Sequence, residues 1–274
     1  LWDADKNNFS PRVGLAYLVR PKTVVRAGYG VFFQSLEADI PQQGFSQRTL
    51  VVPSLDNGLT FHATLRNPLP EGLLPPPGAS GGLGTFLGRG VSFFTPSRSN
   101  AYTQRWSFNV QQEFPHRMLV EVGYMGSRGT GLGLDEDYGA LPARYLSASP
   151  VRDQTTIDFL SAAVPNPFYG LPEFNGTGLQ GKTVSRAQLL RPFPQFSGVG
   201  STLNGGFSWY HALSLRAEKR FSHGLTVQGT YTWSKFMEAV DKLNASDPYP
   251  HHVVAAGDRP QHLVISGIYE LPFG

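Results

Sequence analysis

The chain has 274 residues, 40% of them apolar, and its 23 Lys and Arg against 20 Asp and Glu leave a formal charge of +3. With 31 Gly and 22 Pro it is too rich in turn formers for a predominantly helical protein. The absence of Cys excludes a disulfide scaffold, Cys-ligated zinc and a thiol nucleophile, and basic residues cluster only in pairs such as Lys219 with Arg220, so no basic stripe marks a nucleic-acid surface.

No stretch approaches the roughly 18 continuous apolar residues of a spanning helix, so any membrane role falls to strands. The chain opens at Leu1 with no signal-peptide pattern and stops at Gly274 just after a strand-like run, which reads as an excised fragment.

Seven segments alternate with period two, the mark of strands with one apolar and one polar face. The first, about 9–18, sets Val13, Leu15 and Tyr17 against Arg12, Gly14 and Ala16. The second, about 23–34, sets Val25, Ala27, Tyr29, Val31 and Phe33 against Arg26, Gly28, Gly30 and Gln34. In the third, about 103–114, Trp106, Phe108 and Val110 oppose Arg105, Ser107, Asn109, Gln111 and Glu113. The fourth, about 118–127, opposes Val120, Val122 and Tyr124 to Glu121 and Gly123. The fifth, about 207–220, opposes Leu213, Leu215 and Ala217 to Ser214, Arg216, Glu218 and Arg220. The sixth, about 225–236, puts Val227, Tyr231 and Trp233 opposite Thr226, Gln228, Thr230, Thr232 and Ser234. The seventh, about 261–271, puts Leu263, Ile265, Gly267 and Tyr269 opposite His262, Ser266 and Glu270.

The connections alternate between two kinds. Arg20 to Lys22, Pro115 to Arg117 and Ser222 to Gly224 are tight turns that make three hairpins. Between hairpins the chain wanders from Ser35 to Tyr102, from Gly129 to Gly206 and from Met237 to Arg259, loops of a length that compact domains rarely hold. Short turns at one end and long loops at the other predict an all-β, antiparallel, up-and-down transmembrane β-barrel fragment with periplasmic turns and extracellular loops. Aromatics agree: Tyr29, Phe33, Trp106, Phe108, Tyr124, Tyr231 and Trp233 stand near the long-loop ends, and Tyr17, Phe114, Phe221, Tyr269 and Phe273 near the short turns. Leu15, Val110, Val122, Leu215, Val227 and Ile265 lie between, as two headgroup girdles around an acyl layer require. The competing reading is a soluble β-sandwich, for instance a carbohydrate-binding one, whose apolar face is its core.

Asn8-Phe-Ser-Pro-Arg-Val-Gly-Leu-Ala-Tyr17, Val25-Arg-Ala-Gly-Tyr-Gly30, Arg105-Trp-Ser-Phe-Asn-Val-Gln-Gln112 and Val122-Gly-Tyr-Met-Gly-Ser127 follow one another along the chain. After them come Asn166-Pro-Phe-Tyr-Gly170, Leu190-Arg-Pro-Phe-Pro-Gln-Phe196, Tyr210-His-Ala-Leu-Ser-Leu-Arg216, Tyr231-Thr-Trp-Ser-Lys235 and Ile268-Tyr-Glu-Leu-Pro-Phe-Gly274. With these motifs in this order, residues 1–274 resemble the β-barrel part of the Oar-like TonB-dependent outer-membrane transporters of acidobacterial type. The resemblance implies a barrel of about 22 strands, of which about seven are here. It also implies a signal peptide, a regulatory-like domain and a plug that this segment lacks. The implied partners are outer-membrane lipid, the protein's own plug and the TonB complex acting through it, and an unknown large solute. The implied location is the cell outer membrane.

Several patterns invite a chemical reading. Gly176, Gly181, Lys182 and Thr183 satisfy the phosphate-binding P-loop pattern, but that loop needs a buried strand before it and a helix after it. Pro165, Pro167 and Pro172 precede it, and Pro192 and Pro194 limit any helix after it, so the match reads as chance. Asp135, Glu136 and Asp137 could offer oxygen to calcium but read as a solvated loop tip. His251 and His252 are adjacent, between or beside Pro248 and Pro250, and read as exposed loop. Gly126-Ser-Arg-Gly129 lacks a nucleophile elbow. The expectation is therefore no enzyme activity, no cofactor and no metal site. The polar face remains: Arg26, Arg105, Glu113, Arg216, Glu218, Arg220 and Gln228 are the candidate lumen-facing residues, for plug docking or a solute path. The function this supports is uptake by a TonB-dependent transporter, with adhesion to a surface polymer or peptide through the long loops as the alternative.

Overall fold

The computed structural model describes residues 5–34, 51, 53, 59–70, 72–73, 75–95, 99–222, 224–271 and 273, leaving out the side chains of Phe94, Phe221 and Ser222. The start of the first long connection, 35–50, and the girdle position Phe221 thus lie outside the described residues and side chains. The strands are β1 Arg12–Arg20, β2 Thr23–Phe33, β3 Gly90–Phe94, β4 Tyr102–Phe114, β5 Met118–Asp137, β6 Ala163–Pro165, β7 Thr183–Ser185, β8 Gly198–Ser222, β9 Leu225–Ala239, β10 Val253–Val254 and β11 Gln261–Tyr269. Among the described residues two helices, α1 Gln154–Ser161 and α2 Arg186–Leu189, accompany the strands, apart from short 3-10 turns. The chain divides into two compact units, one of Leu1–Ala38, Phe94–Glu136 and Ser201–Gly274, the other of Asp39–Phe93 and Asp137–Gly200.

The first unit is an antiparallel wall in the order β1-β2-β4-β5-β8-β9, with β10 and β11 both paired to β9. Register follows the alternation. Val13 faces Tyr29, Leu15 faces Ala27 and Tyr17 faces Val25. Those rows continue through Tyr29 to Trp106, Ala27 to Phe108 and Val25 to Val110, and then to Gly126, Tyr124 and Val122. On the other side Leu213 faces Trp233 and Leu215 faces Tyr231, and Tyr231 and Gly229 face Leu263 and Ile265. A one-residue slip in any pair would throw charged residues onto the apolar face, so the amphipathic pattern excludes odd slips of register.

This apolar face is bare. Phe108 is 49%, Leu215 42%, Trp233 61% and Ile265 69% exposed, although Phe108 and Leu215 belong to interior strands of the wall. A sandwich would bury such residues under a second sheet, and among the described residues no sheet lies on them, which removes the soluble-sandwich reading. Nor does the wall close on itself: among the described residues β1 pairs only with β2, and β11 only with β9.

The elements differ from the sequence expectation at their outer ends. The first strand begins at Arg12, after Pro11, which has no N–H to donate to a ladder. β5 runs to Asp137 and β8 starts at Gly198, far into stretches read as loop, while β9 continues to Ala239. At about 3.3 Å per residue, strands of 20 and 25 residues are much longer than the 9–11 residues needed to cross a bilayer, so both project well beyond it. The tight turns sit where predicted. The second places His116 and Arg117 at φ 62°, in the left-handed region, and the third has Gly224 at φ 74°.

The second unit is a folded module where the sequence suggested wandering chain. β6 and β7 pair through Val164 and Val184, and Phe174, Leu179 and Val184 form a small core with Leu87, Val164, Phe168 and Leu189. The rings of Phe168 and Phe174 stack at 4.7 Å. Asp153 caps α1, accepting from the Thr156 backbone N–H at 3.1 Å and from its hydroxyl at 2.7 Å. Ser185 Oγ accepts from the Gln188 N–H to cap α2, which ends before Pro192.

Candidate functional site

The seven candidate polar-face residues fall in three places along the wall. Nearest the short turns, Arg216 Nη2 donates to Glu218 Oε2 at 2.9 Å and to Gln228 Oε1 at 3.2 Å. Arg220 Nε lies 3.8 Å from Glu218 Oε1. Glu218 and Gln228 are cross-strand partners, and period two places Arg216, Glu218 and Arg220 in one line along β8, so the network follows directly from register. Arg216 Nε is buried and has no partner among the described residues. Glu113 and Arg220 line a cleft of about 460 Å³ together with Arg117, Met118 and Leu119.

On another hairpin, also close to its short turn, Arg26 donates from Nη1 to Gln111 Oε1 at 2.6 Å across the β2–β4 pair. Towards the long-loop ends stands Arg105, apart from the other candidates. Its guanidinium carbon lies 5.6 Å from the centre of the Phe32 ring, and that of Arg12 lies 4.7 Å from the same centre. These residues border a cavity of about 560 Å³ whose lining includes Gly28, Gly30 and Ser107. Arg12 and Phe32 were not among the candidates picked from sequence. Arg12 was placed on the polar face without a role, and Phe32, an aromatic at a polar-face position two residues after Gly30, was the unused signal.

The other motif residues are engaged in structure. Asn166 donates its amide to the carbonyls of Leu179 and Gly181, both at 2.7 Å, and so braces the stretch that holds Gly176, Gly181, Lys182 and Thr183. The Gly176 N–H donates to Gln180 Oε1 and Lys182 lies over the Tyr169 ring at 5.9 Å, while Thr183 opens β7. The acidic run, expected as a loop tip, is the end of β5. There Asp135 accepts from Thr202 at 3.0 Å, Glu136 from the buried Lys242 at 2.6 Å, and Asp137 from the Gly139 N–H at 2.9 Å. The loop-tip reading failed because strand continues past the amphipathic band. His252 meets the rings of Phe207 and Trp209 edge-on, while His251 uses its backbone N–H on the Asp241 carbonyl.

One titration stands out in the second unit. The Thr156 hydroxyl, then the Ser147 hydroxyl, then the Thr156 N–H all donate to the Asp153 carboxylate and lower its pKa from 3.8 to about 2.

On the outward-facing side, Tyr124 and His211 are hydrogen-bonded, hydroxyl to Nδ1, at 2.7 Å, and the Trp106 ring is 6.0 Å from the His211 ring. Phe33 and Tyr102 lie 5.4 Å apart at the end of the β2–β4 pair. Amphipathic rings gathered above an aliphatic band, with a polar face behind, describe the wall of a transmembrane β-barrel. The chain belongs to the outer membrane beta barrel domain family, which matches residues 1–274, and its place is the cell outer membrane.

No curated protein matches the chain. Among solved structures it is similar to the FrpB iron transporter of Neisseria meningitidis (F3-3 variant), at 10% identity and a TM-score of 0.41, over 97% of this chain and 25% of that one. It is similar to the alcaligin outer-membrane receptor FauA of Bordetella pertussis, at 12% identity and a TM-score of 0.38, over 97% and 27%. A third is the outer-membrane transporter YddB of Escherichia coli, at 7% identity and a TM-score of 0.41, over 90% and 24%. The chain thus spans about a quarter of the length of these proteins.

Proposed function

We propose that the chain is part of the barrel of an Oar-like TonB-dependent transporter, which takes up a large solute when TonB acts on a plug held in the lumen. The observation that carries this reading is the two-faced wall, with an exposed apolar side fit for lipid and a side lined by Arg26, Arg105, Glu113, Arg216, Glu218, Arg220 and Gln228. The ordered motifs of the sequence supply the family. Arg216, Glu218, Arg220 and Gln228 suit plug docking, because the unpartnered Arg216 Nε offers a donor to a docked carbonyl or carboxylate. The second unit favours a second reading: a loop module with its own core at Phe174, Leu179 and Val184 could bind a surface polymer or peptide.

Deleting 36–101 from the full-length protein separates the two. Lost uptake with intact adhesion supports transport, and lost adhesion with intact uptake supports an adhesin. In the transport case uptake also ceases in cells without working TonB, at unchanged levels of the protein in the outer membrane.

A further inference from the structure

Arg12, Gly30 and Arg105 lie in one cross-strand row: Arg12 faces Gly30 across the β1–β2 pair, and Gly30 faces Arg105 across the β2–β4 pair. With strands about 4.8 Å apart, the two arginine backbones stand about 10 Å from each other with only a glycine between them. The next row is Gly14, Gly28 and Ser107, so the floor beside the two arginines is also nearly free of side chains. Phe32 folds back over Gly30; a Cβ there would come within 2.9 Å of the Phe32 ring and 3.5 Å of the Arg12 side chain. Glycine at position 30 is what leaves room for the ring within reach of both guanidinium groups.

The guanidinium carbons lie 4.7 and 5.6 Å from the centre of the one ring, which gathers two sets of N–H donors around a single place for a planar or tetrahedral oxyanion. No carboxylate partners either arginine in the ion pairs of the described residues. Two like charges held over one ring repel each other unless an anion comes between them. The cavity of about 560 Å³ in front of them is large enough for a small organic anion, and Met125 and Tyr210 add apolar surface beside the charges.

We infer that Arg12, Phe32 and Arg105 form an oxyanion seat on the lumen wall near the long-loop ends, which takes a carboxylate or phosphate carried on an aromatic or otherwise apolar solute. The seat rests on the transporter reading for its purpose, because it gives that transporter an anionic solute class. Its existence is testable without transport.

The test uses the full-length protein in detergent micelles, with phenyl phosphate and inorganic phosphate as probes, read by titration calorimetry at low ionic strength. Phenyl phosphate binds more tightly than inorganic phosphate, and Arg12→Gln or Arg105→Gln each weakens it about tenfold. Phe32→Leu removes the preference for the phenyl compound, and Gly30→Val, which fills the notch, abolishes binding. Heat-modifiable migration of each variant on detergent gels reports an intact barrel, so lost binding in a folded variant is not lost folding. Undiminished binding in the double arginine variant overturns the inference, as does no binding to the wild type. If the arginines instead serve a carboxylate of the protein's own plug, their loss lowers the melting temperature and leaves anion binding unchanged, which also overturns it. Failure of the transporter reading shows separately, as uptake that is indifferent to TonB while phenyl phosphate still binds.

Discussion

Asp153 illustrates how a single residue in a loop acquires a defined role. Its carboxylate holds the first turn of α1 through Thr156 and ties back to Ser147 at 2.7 Å, and these donors lower its pKa from 3.8 to about 2. A depressed carboxylate contributes stability that is fully present above pH 3.8 and is lost as the pH falls through about 2. In carbon-13 NMR of the full-length protein, the Asp153 carboxyl should titrate near 2, and amide exchange in 154–161 should accelerate only at that pH. Asp153→Ala should show the fast exchange at neutral pH, and Asp153→Asn, which keeps an acceptor, should fall between. A carboxyl titrating at 3.8 would remove the capping role. The cap was invisible in sequence, since Asp153-Gln-Thr-Thr156 within a Pro-rich stretch offers no apolar periodicity to announce a helix. The lumen candidates were legible in a narrower sense. Alternation put Arg105 and Arg216 on the polar face, but that Arg105 stands with Arg12 rather than with Arg216 depends on which strands pair and in what register, and period two does not carry that.

At the scale of elements, what periodicity reveals is the part of a strand that crosses the lipid. Val120, Val122 and Tyr124 alternate with polar neighbours because one side meets acyl chains and the other the lumen. From Gly126 to Asp137 the same strand continues as Gly-Ser-Arg-Gly-Thr-Gly-Leu-Gly-Leu-Asp-Glu-Asp, and β8 opens with Gly-Val-Gly-Ser-Thr-Leu-Asn-Gly-Gly. Beyond the band the Gly-rich sequence no longer alternates apolar with polar, although Leu134 and Ser201 are buried there, and the ladder continues with side-chain bonds such as Thr202 to Asp135 and Asn204 to the Gly131 carbonyl. This is why these strand ends were expected as loop. The same argument predicts where a charge can be placed. Val110 sits mid-band, between Val25 and Val122, while the adjacent Asn109 lies on the polar face between Arg26 and Gly123. Val110→Arg should cost about 2–4 kcal/mol of folding stability in urea titrations from vesicles, whereas Asn109→Arg should leave stability nearly unchanged. Equal penalties at the two positions would mean that the faces have been assigned wrongly.

Over the whole molecule, two hazards coexist, and they can be told apart. Without the neighbours that close a barrel, the chain presents a bare apolar face and, among the described residues, two open edges, β1 and β11, and it should aggregate in water. The edges are unequal. β1 carries Arg12 and Arg20, charges that discourage pairing with another chain. β11 reads Gln-His-Leu-Val-Ile-Ser-Gly-Ile-Tyr, without a full charge, and Leu263, Val264, Ile265 and Ile268 are all exposed. Such an uncharged, β-branched edge is the stronger template for strand addition. Val264 pairs with Thr230 and so points to the polar face, which means that Val264→Lys charges the edge without touching the lipid-facing side. If edge pairing drives aggregation, this variant should stay dispersed much longer in detergent-free buffer, by light scattering, than the wild type or a Leu18→Lys control on β1. If the apolar face drives it, all three should aggregate at one rate, and only detergent should disperse them. A wild-type chain that sediments as a monodisperse monomer without detergent would contradict both mechanisms, and with them the membrane-facing assignment of Leu215, Trp233 and Ile265.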